Sequence, residues 1–100
     1  MLGWDITDFG HEQFGEIGLV LFTLRNGNQH ISKYKKTYAE KLLISQERQL
    51  CPNHFHWNKM EDIINRGGGN LMIQVWNSDS QGNLLGTDVT VTLDGCTQTV

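Results

Sequence analysis

The sequence predicts an all-β protein built as a sandwich or a barrel. Three observations carry this. Short stretches rich in Val, Ile, Leu, Phe, Tyr and Thr recur at intervals of roughly 8–12 residues. Turn chemistry separates them, supplied by 11 glycines and by Asn-Gly and Asp-Gly pairs. No segment sustains the 3.6-residue apolar period of an amphipathic helix.

The elements follow in chain order. Met1–Gly18 is mixed, with Trp4, Ile6 and Phe9 as apolar anchors among Asp5, Asp8, Glu12 and Glu16, and reads as a short strand or turn followed by a turn-rich stretch. Leu19–Arg25 (LVLFTLR) is a strand ending at Asn26-Gly27, a strong turn signal. Asn28–Lys36 is polar and basic, hence a loop. Tyr38–Ser45 (YAEKLLIS) reads as a strand, although Ala, Glu, Lys and Leu also favour helix. Gln46–Gln49 is a turn. Leu50–Trp57 is a strand whose Pro52 is tolerated at a strand start or edge. Asn58–Met60 is a bend, and Glu61–Asn65 a short strand. Arg66–Asn70 (RGGGN) is a tight turn calling for positive φ or close backbone approach. Leu71–Trp76 is a strand, Asn77–Asn83 a loop, and Val89–Leu93 an alternating strand that Asp94-Gly95 turns into Thr97–Val100.

Size and charge set limits. One hundred residues suit one domain, here residues 1–100, which is expected to bury about two thirds of its unfolded surface. With 38% hydrophobic and 19% charged residues the chain is globular rather than disordered. A net charge of -3 argues against nucleic acid or an anionic membrane surface as partner. No apolar run approaches the roughly 20 residues that span a bilayer. No basic segment followed by an apolar one opens the chain, so no secretory signal is expected. Cys51 and Cys96 lack C-x-x-C spacing and read as two free thiols of a cytoplasmic protein. Cys51, three residues before His54, is a soft ligand by type, but a free cysteine more often serves as a buried thiol.

The chemistry concentrates in HFHWNKME, residues 54–61. On extended chain His54 and His56 face the same side, because side chains alternate with a period of 2. Glu61 is an odd number of residues from His56, so it joins them only if the chain bends near Asn58–Met60. Two neutral imidazoles and a carboxylate would hold a divalent cation with positions left open for water or substrate, which is a catalytic rather than a structural arrangement. This donor set suits Mn, Fe(II), Zn or Co. Each imidazole must be held in one tautomer by a group that accepts from its other ring nitrogen, and sequence spacing does not name that group. An H-x-H pair alone is also an ordinary surface pair. Glu61 and the glycines Gly67–Gly69 close behind it favour the metal reading.

His54, His56, Glu61 and Gly68 resemble the first metal-binding motif of the cupin superfamily, G-x5-H-x-H-x3,4-E-x6-G, with Arg48 standing where the motif opens on glycine. MLGWDITDFG, LFTLRNGN, YAEK, HFHWNKMEDIINRGGGNL and Trp76-Asn77-Ser78-Asp79 together resemble the D-lyxose ketol-isomerases over nearly the whole chain. The resemblance implies a cupin-type jelly-roll barrel, here partial. It also implies a divalent metal, manganese preferred, a homodimer, and interconversion of D-lyxose with D-xylulose and of D-mannose with D-fructose. It implies that His54, His56 and Glu61 are metal ligands and that Lys59 and Lys41 contact the sugar. The family's second motif supplies a fourth ligand, a histidine on a later strand, and no histidine follows His56 here. The chain is accordingly expected to match the central portion of a longer enzyme. His11 and His30 lack a supporting motif and read as surface histidines.

Isomerisation through a cis-enediol needs a base, an electrophile for the developing oxyanion and a route for the hydroxyl proton. Lys59 is either a donor to the sugar or a solvated turn residue. Lys41, without the resemblance, reads as a surface lysine. Glu61 can serve as ligand and base in turn, but since ligation weakens a base, a second carboxylate elsewhere is the expected base. Trp57 walls a sugar pocket or packs in a core or at a strand edge. Trp4, Phe9 and Phe14 read as packing residues, and Arg66 as a donor anchoring its turn. Three other readings remain open: an inactive fragment of such an isomerase, an Fe(II) cupin oxygenase, and a non-catalytic half-cupin that binds metal or sugar or pairs with a partner through exposed strand edges.

Overall fold

A computed structural model describes residues 3–100; Met1 and Leu2, which open the mixed first stretch, lie outside the described residues. The described residues form seven strands and no helix, so the chain is all-β. No helix long and apolar enough to cross a membrane occurs among them. All strand ladders are antiparallel, consistent with a partial cupin-like fold, and among the described residues none closes a barrel.

The first unit, Met1–Asp62, is built on a three-stranded sheet. Strand β1 (Gly3–Thr7) pairs with β2 (Leu19–Arg25), with Trp4 opposite Phe22 and Ile6 opposite Val20. Strand β2 is central and its bounds are those expected from sequence. On its other side lies β3 (Glu40–Ile44), a strand rather than the helix its composition also allowed. The register shifts between Thr23 and Arg25, so two steps along β2 match one along β3, a bulge at Leu24. Beyond it Arg25 donates to the Tyr38 hydroxyl at 2.9 Å and stands 5.3 Å over that ring. Asn26-Gly27 does not make a two-residue hairpin; the connection runs from 26 to 39.

The turn over residues 46–49 is present, with Gln49 N–H donating to Gln46 C=O at 3.1 Å. The Gln49 side chain accepts from Gln46 N–H and donates to the Phe14 carbonyl. That tie delivers Leu50 beside the sheet, where Gly18 N–H donates to Leu50 C=O at 2.9 Å and Leu50 N–H to Glu16 C=O at 2.7 Å. Gly18 is required there: a Cβ would stand 2.6 Å from the Thr7 carbonyl oxygen and 2.8 Å from the Phe14 ring. Residues 51–61 leave the sheet from this anchor.

The second unit, Ile63–Val100, holds two hairpins. Strands β4 (Asn77–Ser78) and β5 (Leu84–Leu85) correct the reading of Asn77–Asn83 as loop throughout, since its first two residues pair. Asp79 closes the turn, accepting from Gln81 N–H, Asn83 N–H and the Asn83 amide. Strands β6 (Thr90–Leu93) and β7 (Cys96–Thr99) meet at Asp94-Gly95, both at positive φ, as the two-residue hairpin demands. Val89 and Val100 extend the pairing by exchanging two backbone bonds.

Further expectations need correction. Leu50–Trp57, Glu61–Asn65 and Leu71–Trp76 form no strand; Leu50 makes only an isolated parallel bridge with Ile17. Apolar and β-branched composition prepares a chain to extend, but a strand exists only where a neighbour supplies ladder partners. Ile63, Ile64, Leu71, Ile73 and Leu93 line a shared depression instead. Burial also falls short: the accessible surface is 9189 Å² where size trends expect about 5,800 Å². Leu19 is the one buried hydrophobic residue among those described, and Trp4 and Phe9, expected to pack, are 68% and 41% exposed. Finally, the anchor of the glycine turn is Asn65 rather than Arg66. Its amide donates to Gly69 C=O and accepts from Gly67 N–H, both at 3.0 Å, while Gly67 and Gly68 take positive φ.

Candidate metal centre

Residues 54–57 keep the alternation of extended chain although no ladder holds them. The His54 and His56 rings meet edge to face with centroids 5.2 Å apart, and Phe55 and Trp57 pair likewise at 4.7 Å. Period-2 alternation therefore sorts imidazoles from aromatics. Trp57 is 65% exposed and packs on Phe55, which corrects its reading as a core residue.

His54 Nδ1 lies 2.9 Å from the Pro52 carbonyl oxygen. A carbonyl only accepts, so this contact is a hydrogen bond when Nδ1 carries the proton, and that leaves the Nε2 lone pair for a metal. The chain bends at Trp57–Asn58, at the front edge of the expected bend. The bend brings Glu61 round: its Oε1 is 3.5 Å from His56 Nε2 and 2.6 Å from Lys59 Nζ.

One ligand atom from each of His54, His56 and Glu61 falls within 4.8 Å of the others, and all three residues are exposed. Metal–ligand bonds of about 2.0–2.2 Å place neighbouring ligand atoms roughly 3 Å apart, a spacing that rotation of these side chains would have to supply for the group to hold an ion. Nitrogen and oxygen donors, three in number and open to solvent on one side, fit a first-row divalent cation with free positions.

The electrostatics agree. The Glu61 carboxyl is held below its ordinary range, first by the hydrogen bond from Lys59, which outweighs the opposing cost of partial burial; the positive charge of Lys59 and of the two imidazoles when protonated adds smaller contributions in the same downward direction. Glu61 therefore stays ionised where a ligand must. The Cys51 thiol is pushed up, first by partial shielding from water and then by the Glu61 charge. Cys51 and Cys96 are both free and exposed, which corrects the buried-thiol reading of Cys51.

The other candidates lie apart in their contacts. Lys41 sits on β3 opposite Thr23, and among the described contacts none joins it to His54, His56 or Glu61. His11 and His30 are exposed, as expected of surface histidines. Sequence reasoning missed the Pro52 carbonyl and the Asn65 brace. The second was findable, since an Asn two residues before a glycine turn commonly bonds backbone in this way.

The family model described as D-lyxose isomerase matches residues 1–100. The chain is 57% identical over 98 residues to a D-lyxose/D-mannose isomerase of Serratia proteamaculans, covering 98% of this chain and 43% of that protein. It is 54% identical over 97 residues to a D-lyxose/D-mannose isomerase of Escherichia coli O157:H7, covering 97% of this chain and again 43% of the relative. The chain thus spans less than half the length of the curated relatives it matches.

Proposed function

The chain belongs to the D-lyxose isomerase family, and from that membership and the geometry of residues 54–61 we propose that it carries the metal-holding part of an aldose–ketose isomerase. The substrates are D-lyxose and D-mannose, a reading supported by the names of both relatives, and the family resemblance adds D-xylulose and D-fructose as the corresponding ketoses. The observation that carries the proposal is the convergence of His54, His56 and Glu61 within 4.8 Å.

In this reading His54 and His56, each through Nε2, and Glu61 hold a divalent ion, manganese by preference. When bound, it supplies an electrophile for the oxygens on C1 and C2 of the open-chain sugar. Lys59, two residues before Glu61 and about half exposed, lies where its ammonium holds a sugar hydroxyl or the oxygen that gains charge as the cis-enediol forms. Glu61 is a ligand rather than the base: its depressed pKa makes it a poor proton acceptor near neutral pH. The base is then a different carboxylate. Lys41 is assigned to the sugar on the resemblance alone. A homodimer in the cytoplasm belongs to the same reading, supported by the resemblance and by two free thiols.

The test is an isomerase assay on the purified chain with manganese, using D-lyxose and D-mannose, with bound metal quantified in parallel. Ketose formation lost in His54→Ala supports an active site completed within this chain. Metal binding lost in His54→Ala without turnover in either protein restricts the chain to metal holding. Absence of both overturns the proposal.

A further inference from the structure

We propose that Lys59 is a resident cation of the site, seated on Glu61 in the metal-free protein and displaced when a divalent ion enters. The inference rests on the metal reading above and goes beyond it, because it assigns a state to the site before loading.

The argument begins with one oxygen. Glu61 Oε1 faces His56 Nε2 at 3.5 Å and accepts from Lys59 Nζ at 2.6 Å. An ion held by both Oε1 and Nε2 sits about 2.1 Å from each, in the gap between them. The ammonium already rests on that same oxygen, and two cations on one carboxylate oxygen repel at short range. Loading therefore drives Lys59 off Oε1, the oxygen on which it is seated. Nothing holds the lysine back: its side chain is 48% exposed, that of Glu61 is 44% exposed, and the stem is four flexible carbons.

Two consequences follow. First, Lys59 competes with the metal, so the site's affinity is lower than its three donors alone would give. Second, the ammonium becomes available to a sugar hydroxyl only after the ion has arrived. The empty site then lacks its electrophile and keeps its donor occupied, and one event supplies both.

The test is calorimetric titration of manganese into the 100-residue chain and into Lys59→Met, Lys59→Arg and His54→Ala. Lys59→Met should bind manganese roughly 3- to 5-fold more tightly, the size expected for removing a half-exposed ion pair, while Lys59→Arg should show no gain. A second readout uses the unaltered chain and so stands even if Lys59→Met fails to fold: acetylation of Lys59, followed by mass spectrometry, should speed up several-fold on adding manganese relative to Lys41. If the chain binds manganese and His54→Ala does not, while Lys59→Met binds no more tightly and Lys59 labelling is unchanged, the displacement is overturned and the metal reading stands. If the chain binds no manganese, both fall.

Discussion

His54 Nδ1 and the Pro52 carbonyl oxygen lie 2.9 Å apart, an orienting bond supplied by the backbone two residues upstream of the ring it orients. Pro52 has a fixed φ, so its carbonyl is held in place more firmly than that of most residues. Nitrogen-15 NMR should show His54 as the Nδ1–H tautomer before metal is added. Replacing Pro52→Gly should loosen the ring and weaken metal binding by about 10-fold, the lower range for loss of an outer-shell partner. An Nε2–H tautomer would contradict the arrangement.

The Lys59–Glu61 contact makes a prediction about pH. Glu61 has a folded pKa below its ordinary value, so the contact's contribution is fully present above the ordinary glutamate range and is lost as pH falls through the depressed value. Carbon-13 titration of the Glu61 carboxyl should give a midpoint below that of a solvated glutamate. In Lys59→Met the midpoint should move up, because the largest cause has been removed. An unchanged midpoint would mean that the ion pair is not formed in solution.

Gly18 tests the anchor from which residues 51–61 leave the sheet. Gly18→Ala places a methyl group 2.6 Å from the Thr7 carbonyl oxygen, a contact that cannot be relieved by rotating a side chain. It should cost about 2 kcal/mol by urea unfolding, in the range for overpacking. Gly15→Ala meets nothing within 4 Å and should stay within about 0.5 kcal/mol of the parent. Equal effects at the two positions would remove the packing account.

What the sequence disclosed and what it withheld divide along physical lines. Local rules worked where one stretch of chain decides the outcome: period-2 alternation set His54 beside His56, Asp94-Gly95 made its two-residue turn, and Leu19–Arg25 formed the central strand. They failed where a distant partner decides. Leu71–Trp76 has strand composition but no ladder, since propensity does not supply a neighbour. The Gly18 contact with Thr7 and the Gln49 tie to Phe14 join residues far apart in sequence, and no spacing announces them. Within the site, the bend that brings Glu61 to His56 was required by parity, whereas the Lys59 pairing depends on side-chain reach, which spacing leaves open.

The last prediction separates ligand from base at Glu61. Glu61→Gln keeps the shape and removes the charge, along with the ion pair to Lys59. If Glu61 is a ligand, the variant should bind manganese about 10- to 100-fold more weakly, since carboxylate is a far better donor to a hard cation than amide, and turnover should fall with occupancy. Excess metal should then restore part of the activity. If the variant instead holds metal as the parent does and loses only turnover, with no rescue by added manganese, Glu61 carries the proton. In that case the lowered pKa must be reversed in the loaded site, because a carboxylate so easily ionised takes a proton from carbon poorly. The two outcomes differ in a binding isotherm before any sugar is added.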